Sequence, residues 1–301
     1  MIPTLLASAT RILWRLLERN GVPAEQVFRS AGLDPEEMTR SRGRYPVEKV
    51  RCAWIAAAER IEDPCFGLGA ARVWRPTDFH ALGYAFLASK TLRQGFERIA
   101  RYNAVVNETV LFRLESDSAQ VRLKYSIPIP ELQDVLAYED ARWAIIIGMC
   151  RMACGEALNP IEVALSHPAP PCTSDYYGLF RCPVNFAVPV AALTLSREVA
   201  DQPLPAANRE LALGNDRVLA DYIAKLRRDD IVSRVKDAVI GQLPSGTPTQ
   251  DETSRALHMS ARTLQRRLTE EGTSFRELLE AVRRELAEQY LSQGSRSLDE
   301  I

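Results

Sequence analysis

The chain has 301 residues, 46% of them hydrophobic and 26% charged, and a formal net charge of −1. That length allows two domains with ample core, and no run approaches the roughly 18 apolar residues of a membrane span. The near-neutral balance does not exclude nucleic acid, because binding depends on where the charge sits.

The opening "MIPTLLASATRILWRLLERN" reads as an amphipathic helix rather than a targeting segment, since Arg11, Arg15, Glu18 and Arg19 break its apolar runs. Leu5, Leu6, Ile12, Leu13, Leu16 and Leu17 recur at helical spacing, and Gly21 ends the run. A second helix follows Pro46, through Val47, Val50, Ala53, Trp54, Ala57 and Ile61. A third spans about Thr91 to Tyr102. The period then changes. "TVLFRLE" and "AQVRLKYSI" alternate on either side of Ser116-Asp117-Ser118, predicting a β-hairpin. "ELQDVLAYEDARWAIIIGMCRMACG" is a long, mostly buried helix. Strand-like runs return at Ile161–Ser166, Val184–Val188 and Ala191–Leu195. The order predicts an α+β domain, an antiparallel sheet packed on the long helix.

Six cysteines, Cys52, Cys65, Cys150, Cys154, Cys172 and Cys182, include no Cys-x-x-Cys pair. They are expected to be reduced, mostly buried thiols in a cytoplasmic protein. Cys150 and Cys154, with His167, Cys172 and Cys182 near in sequence, match no zinc module, so no metal is assigned.

"ADQPLPAANRE" is the linker candidate, and no strand signal follows it. The expected organisation is an effector-sensing and dimerisation domain over 1–205, a linker helix over 206–228 and an all-α domain over 229–301. In the last part, Ile231, Val235 and Val239 mark one helix face. Thr249 with Glu252 forms a capping box for a short helix ending near Leu257, and Ser260 can cap the next. Ser274 and Glu277 repeat the box before a long helix.

On a helix from Ala261, Leu264 and Leu268 face inward, while Arg262, Gln265 and Arg266 fall at i, i+3 and i+4 on the opposite side. A short helix, a tight turn and a second helix form a helix-turn-helix. Its outer face suits DNA, since Arg pairs with guanine O6 and N7 and Gln with adenine N6 and N7. Arg267, at the flank, suits phosphate. Spacing alone leaves a merely solvated face as the other reading.

"LHMSARTLQRRLTEEGTSFRELLEAVRRELAEQYL" resembles the first helix-turn-helix and connector helix of the AraC/XylS family of bacterial transcription regulators. The shared pattern is Leu257, Met259-Ser260, Arg262-Thr263-Leu264, Arg266, Leu268, Gly272, Ser274-Phe275, Leu279, Arg283 and Ala287. "DPCFGLGA", "ALGYAFLASKTLRQGFERIARY", "LSHPAPP", "YYGLFRCPVNF" and "PLPAANREL" resemble the arabinose-binding-type effector domain of one branch. The resemblance implies a ligand-responsive regulator of double-stranded promoter DNA, with a small-molecule effector, a homodimer and RNA polymerase as further partners. It places base reading on Arg262, Gln265 and Arg266, with Ser260, Thr263 and Arg267 completing the DNA-binding set.

Two departures stand out. Thr253 and Ser254 occupy positions where the family has an apolar residue and alanine, so their hydroxyls need backbone partners. A further capping box, Ser297 with Glu300, is followed only by Ile301, so the second helix-turn-helix is expected to be absent and DNA binding by this chain weak.

No nucleophile elbow, His-Glu-x-x-His or phosphate loop occurs, so no catalytic residue and no cofactor is assigned. A sensing and dimerisation module without competent DNA binding is the first alternative, and a cytosolic enzyme the second. For the effector pocket, Arg75 and His80 lead as partners for an anionic ligand, joined by Trp74, Tyr84 and Trp143.

Overall fold

The computed structural model describes residues 2–133, 135–229, 231–243 and 246–293. The chain divides into two compact units, one from Pro3 to Asp221 and the other from Tyr222 onward. The box at Ser297 and Glu300 lies outside the described residues.

The first unit opens with strand β1 (Thr4–Leu6) and helices α1 (Arg11–Arg19) and α2 (Ala24–Ser30). Strand β2 (Arg44–Pro46) then leads into α3 (Val47–Ala58). Leu5 and Leu6 therefore do not begin the first helix, as their spacing suggests. They pair antiparallel with Tyr45 and Arg44 in a two-stranded ribbon. Three residues are too few to show a strand period, and a 3₁₀ turn over Ala7–Thr10 carries the apolar pattern smoothly into α1. Ile12, Leu13, Leu16 and Leu17 are buried, and Gly21 at φ +71° closes α1 in the left-handed conformation.

Short α4 (Ala70–Val73) and α5 (Ala81–Leu87) precede α6 (Leu92–Tyr102), whose N-cap Thr91 accepts a hydrogen bond from Gln94 N. Strands β3 (Leu111–Ser116) and β4 (Gln120–Ser126) form the hairpin and lead to the 19-residue α7 (Leu136–Cys154). Next come β5 (Glu162–Ala164), α8 (Thr173–Phe180), β6 (Val184–Asn185), β7 (Ala192–Ser196) and α9 (Arg197–Asp201). The five-stranded sheet has the order β3-β4-β7-β5-β6. Its pairs are antiparallel except β5–β6, which is parallel. That exception corrects the wholly antiparallel expectation. Alternation reports which face is buried, not strand direction, and α8 supplies the crossover a parallel pair needs. On α7, the fully buried Trp143 ring lies 5.6 Å from Tyr125 of β4, which places the long helix on the sheet.

Cys65 and Cys172 are joined by a disulfide, 107 residues apart in sequence. This corrects the expectation of six reduced thiols, since spacing carries no signal for a pairing made by tertiary approach. Cys150 is buried, which pushes its thiol up, and the Cys154 thiol donates to its carbonyl. Among the described residues, only Asp63, Cys65 and Cys172 gather as potential metal donors, and both sulfurs there are already bonded to each other.

A polar network secures the N-terminal end of α7. Glu139 accepts from Ser166 N at 2.8 Å, and buried Asp140 accepts from Tyr176 Oη at 2.6 Å and contacts His167 Nε2 at 3.1 Å. Burial raises the Asp140 carboxyl, partly offset by its bonds to His167 and Tyr176. Burial pulls the His167 imidazole down, but the hydrogen bond and charge of Asp140 outweigh this and leave it raised. A group raised on folding contributes stability that is complete below its unfolded pKa and is lost as pH rises through the folded value. Thermal unfolding of the chain should therefore show a lower midpoint at about pH 8.5 than at about pH 6, with His167→Gln flattening the slope. An identical slope in the variant would remove His167 from the account.

Helix α10 (Arg209–Asp229) contains the division between the units, and α11 (Ile231–Gln242), α12 (Gln250–Ala256), α13 (Ala261–Glu270) and α14 (Phe275–Gln293) follow. No described helix is long and apolar enough to cross a membrane.

Candidate functional site

The second unit is built around α13. Thr249 and Glu252 make both bonds of the capping box and start α12. That helix ends with His258 N–H donating to Arg255 O and Met259 N–H to Ser254 O, both at 3.0 Å, while His258 takes φ +55°. This is the Schellman closure, with histidine in the left-handed place glycine usually fills. Arg234 donates to Leu257 O at 3.2 Å, satisfying another carbonyl of the helix end.

Ser260 then caps α13, its hydroxyl accepting from Thr263 N at 3.1 Å. Gln250 Nε2 donates to Ala261 O at 3.2 Å and ties the two helices together. Ser260→Ala should cost the unit about 1 kcal/mol, read from denaturant unfolding. Unchanged stability would show that the cap contributes nothing.

Inward, Leu264 and Leu268 are 0% and 1% exposed and pack with Ile231, Val235 and Val239 of α11 and Leu278 and Val282 of α14. Leu257, Met259 and Leu286 pack partly buried against this core. The two unusual hydroxyls are satisfied. Thr253 donates to Gln242 Oε1 at 2.9 Å and Ser254 to Asp251 O at 3.0 Å, so only the serine uses a backbone carbonyl.

Outward, Arg262, Gln265, Arg266 and Arg267 are exposed, and Thr263 is half-buried beside the cap. Arg266 contacts Glu270 at 3.1 Å, with both side chains largely exposed. Such a pair contributes about 0.2–1 kcal/mol and yields readily to a stronger anion. The core leucines thus fix the rotation of α13 about its axis, and that rotation points three hydrogen-bonding side chains at solvent together.

The first unit holds a cavity of about 100 Å³. Trp54, Phe79, Leu82, Ile99, Asn103 and Tyr138 are among its lining residues, with α7 contributing Arg142, Ile145, Ile146 and Met149. The five residues singled out from sequence do not line it. Trp74 is buried, its indole within reach of any Cβ added at Gly148, and lines a separate open groove with Cys65 and Arg72. Arg75 is exposed, with its backbone N–H on the buried carboxylate of Asp78 at 2.7 Å. His80 is half-buried at φ +52°, its imidazole lowered by burial and by Arg42. Tyr84 is 43% exposed. Trp143 is fully buried, and its indole N–H makes no hydrogen bond with the described residues. Each is chemically suited to a ligand, but residue type does not disclose which face of a helix meets a void. Arg142 carried the one legible signal, a cation inside the apolar run "ARWAIII".

A mixed α/β unit with an apolar cavity, followed by a helix-turn-helix with a cationic outer face, defines the class of two-part helix-turn-helix regulators. Residues 21–204 match the family described as the arabinose-binding domain of AraC transcription regulator, N-terminal. The chain belongs to this family. It is 24% identical over 302 aligned residues to the ornithine utilization regulator of Pseudomonas aeruginosa, covering 100% of this chain and 88% of that one. It is 28% identical over 254 residues to the HTH-type transcriptional regulator VirS of Mycobacterium tuberculosis, covering 82% and 73%. The crystal structure of transcriptional regulator CdpR from Pseudomonas aeruginosa shares the fold. Its TM-score is 0.51 at 19% identity, over 93% of this chain and 85% of that one.

Proposed function

We propose that the chain is an effector-responsive transcription regulator that binds promoter DNA through α13. The observation that carries this reading is the exposed Arg262, Gln265 and Arg266 face, set by buried Leu264 and Leu268 and by the Ser260 cap. The helix fits a major groove, where its two arginines bond guanine edges and its glutamine bonds adenine. Arg267 meets phosphate and adds affinity that is indifferent to sequence.

The test is selection of a target from random duplexes, followed by titration of variants. Arg266→Ala should lose about 1–3 kcal/mol on the selected target and relax preference at one base pair. Arg267→Ala should weaken all sequences alike and lower the salt dependence by about one unit of slope. Wild-type affinity in both variants would remove this face from the interface.

A further inference from the structure

Three arginines stand on or beside the outer face of α13, and Arg266 alone among them is held by an acid. Its Nη1 donates to Glu270 Oε1 at 3.1 Å, four residues along the helix. Among the described residues, Arg262 and Arg267 enter no ion pair. The contact with Glu270 occupies one nitrogen of the Arg266 guanidinium. Its Nε and Nη2 make no hydrogen bond with the described residues, so a bidentate edge stays open beside the occupied corner.

Helix chemistry does not account for Glu270. It is the last residue of α13, at the carbonyl end, where an acid meets the negative pole of the helix dipole. Arg266 followed by Glu270 is also the weaker of the two orders for a pair four residues apart. Both side chains are largely exposed, so the pair adds little to stability. On a helix that meets phosphates, a carboxylate repels the duplex as well. All of these effects disfavour an acid here. What the acid does is hold the guanidinium of Arg266.

We propose that Glu270 is a positioning residue, which holds Arg266 so that its Nε and Nη2 meet O6 and N7 of a guanine. It thereby raises selectivity at that base pair while lowering affinity for DNA in general. The assignment rests on reading α13 as the DNA-contacting helix. An unheld arginine samples many rotamers, and ordering it at the base offsets part of what the contact contributes. A held one also resists swinging to a nearby phosphate, a contact that carries no sequence information. The carboxylate need not release Arg266 when DNA arrives, since the guanine takes the other edge of the cation.

The test measures binding of the whole chain to its selected duplex, to duplexes altered one base pair at a time, and to a random duplex. Glu270→Ala should relax preference by about 2–5-fold, at the same base pair that Arg266→Ala relaxes. It should bind the random duplex more tightly than the wild type does. Glu270→Gln keeps an acceptor and removes the charge, so it should share that tighter binding yet retain more of the preference. Adding Glu270→Ala to Arg266→Ala should relax nothing further. A merely structural role would weaken every duplex alike and lower the thermal midpoint, which neither single Glu270 variant should do. Unchanged preference in Glu270→Ala, or equal weakening on every duplex, would overturn the proposal. If Glu270→Ala does not fold, Glu270→Gln decides in its place, and unfolding of both would make the residue structural and overturn it. Should Arg266→Ala relax one base pair while Glu270→Ala relaxes none, the positioning role falls and base reading by α13 stands. If Arg266→Ala leaves every preference intact, both fall.

Discussion

Cys172→Ser should destabilise the first unit by about 4–5 kcal/mol relative to the oxidised wild type. The bond closes a loop across a sequence separation of 107 residues, and loop-closure entropy for about 100 residues amounts to about 4.7 kcal/mol. Serine at the half-buried position 172 replaces sulfur with little change of volume, so the loss of the cross-link dominates. Urea denaturation checks this. The oxidised wild type should unfold at a higher midpoint than the variant, and reductant should bring the two together. A difference under about 1 kcal/mol, or one that survives reductant, would mean that the bond does not constrain the unfolded chain as argued.

Leu264→Ala should cost the second unit about 3–5 kcal/mol and abolish DNA binding by unfolding it. The side chain is 0% exposed at the centre of a core supplied by α11, α13 and α14, so truncation leaves a cavity as well as losing burial. That core has few layers and little scope to collapse around the gap. Replacing Arg262, Gln265 and Arg266 together with Ala should have the opposite profile. Thermal unfolding would stay within about 0.5 kcal/mol of wild type, because these side chains are exposed, while specific binding is lost. Circular dichroism melts beside DNA titrations separate the cases. If the triple variant unfolded like Leu264→Ala, the outer face would be structural.

The helix-turn-helix was largely legible in the sequence because its determinants are local. Caps at Thr249 and Ser260 and the four-residue spacing of Leu264 and Leu268 act within one or two turns, and the structure places each as its spacing predicts. The hairpin and the long helix were legible for the same reason. What the sequence concealed depends on contacts between distant segments. The β1–β2 ribbon joins residues about forty apart, the parallel β5–β6 pair needs the whole intervening crossover, and the disulfide joins a segment ahead of the five-stranded sheet to the crossover between β5 and β6. The cavity belongs to this group too. Its wall draws on residues from Leu5 to Met149, so no local pattern announces it.

The cross-link also has a consequence in the opposite direction. Stabilisation through a closed cycle is reciprocal. If the bond stabilises the folded unit by about 4–5 kcal/mol, folding stabilises the bond by the same amount. For a two-electron couple, about 30 mV corresponds to about 1.4 kcal/mol. Cys65 and Cys172 in the folded unit should therefore have a reduction potential about 100 mV more negative than the same pair in the unfolded chain. Glutathione at a fixed poise would then open the bond in a nascent or unfolded chain far more readily than in the finished fold.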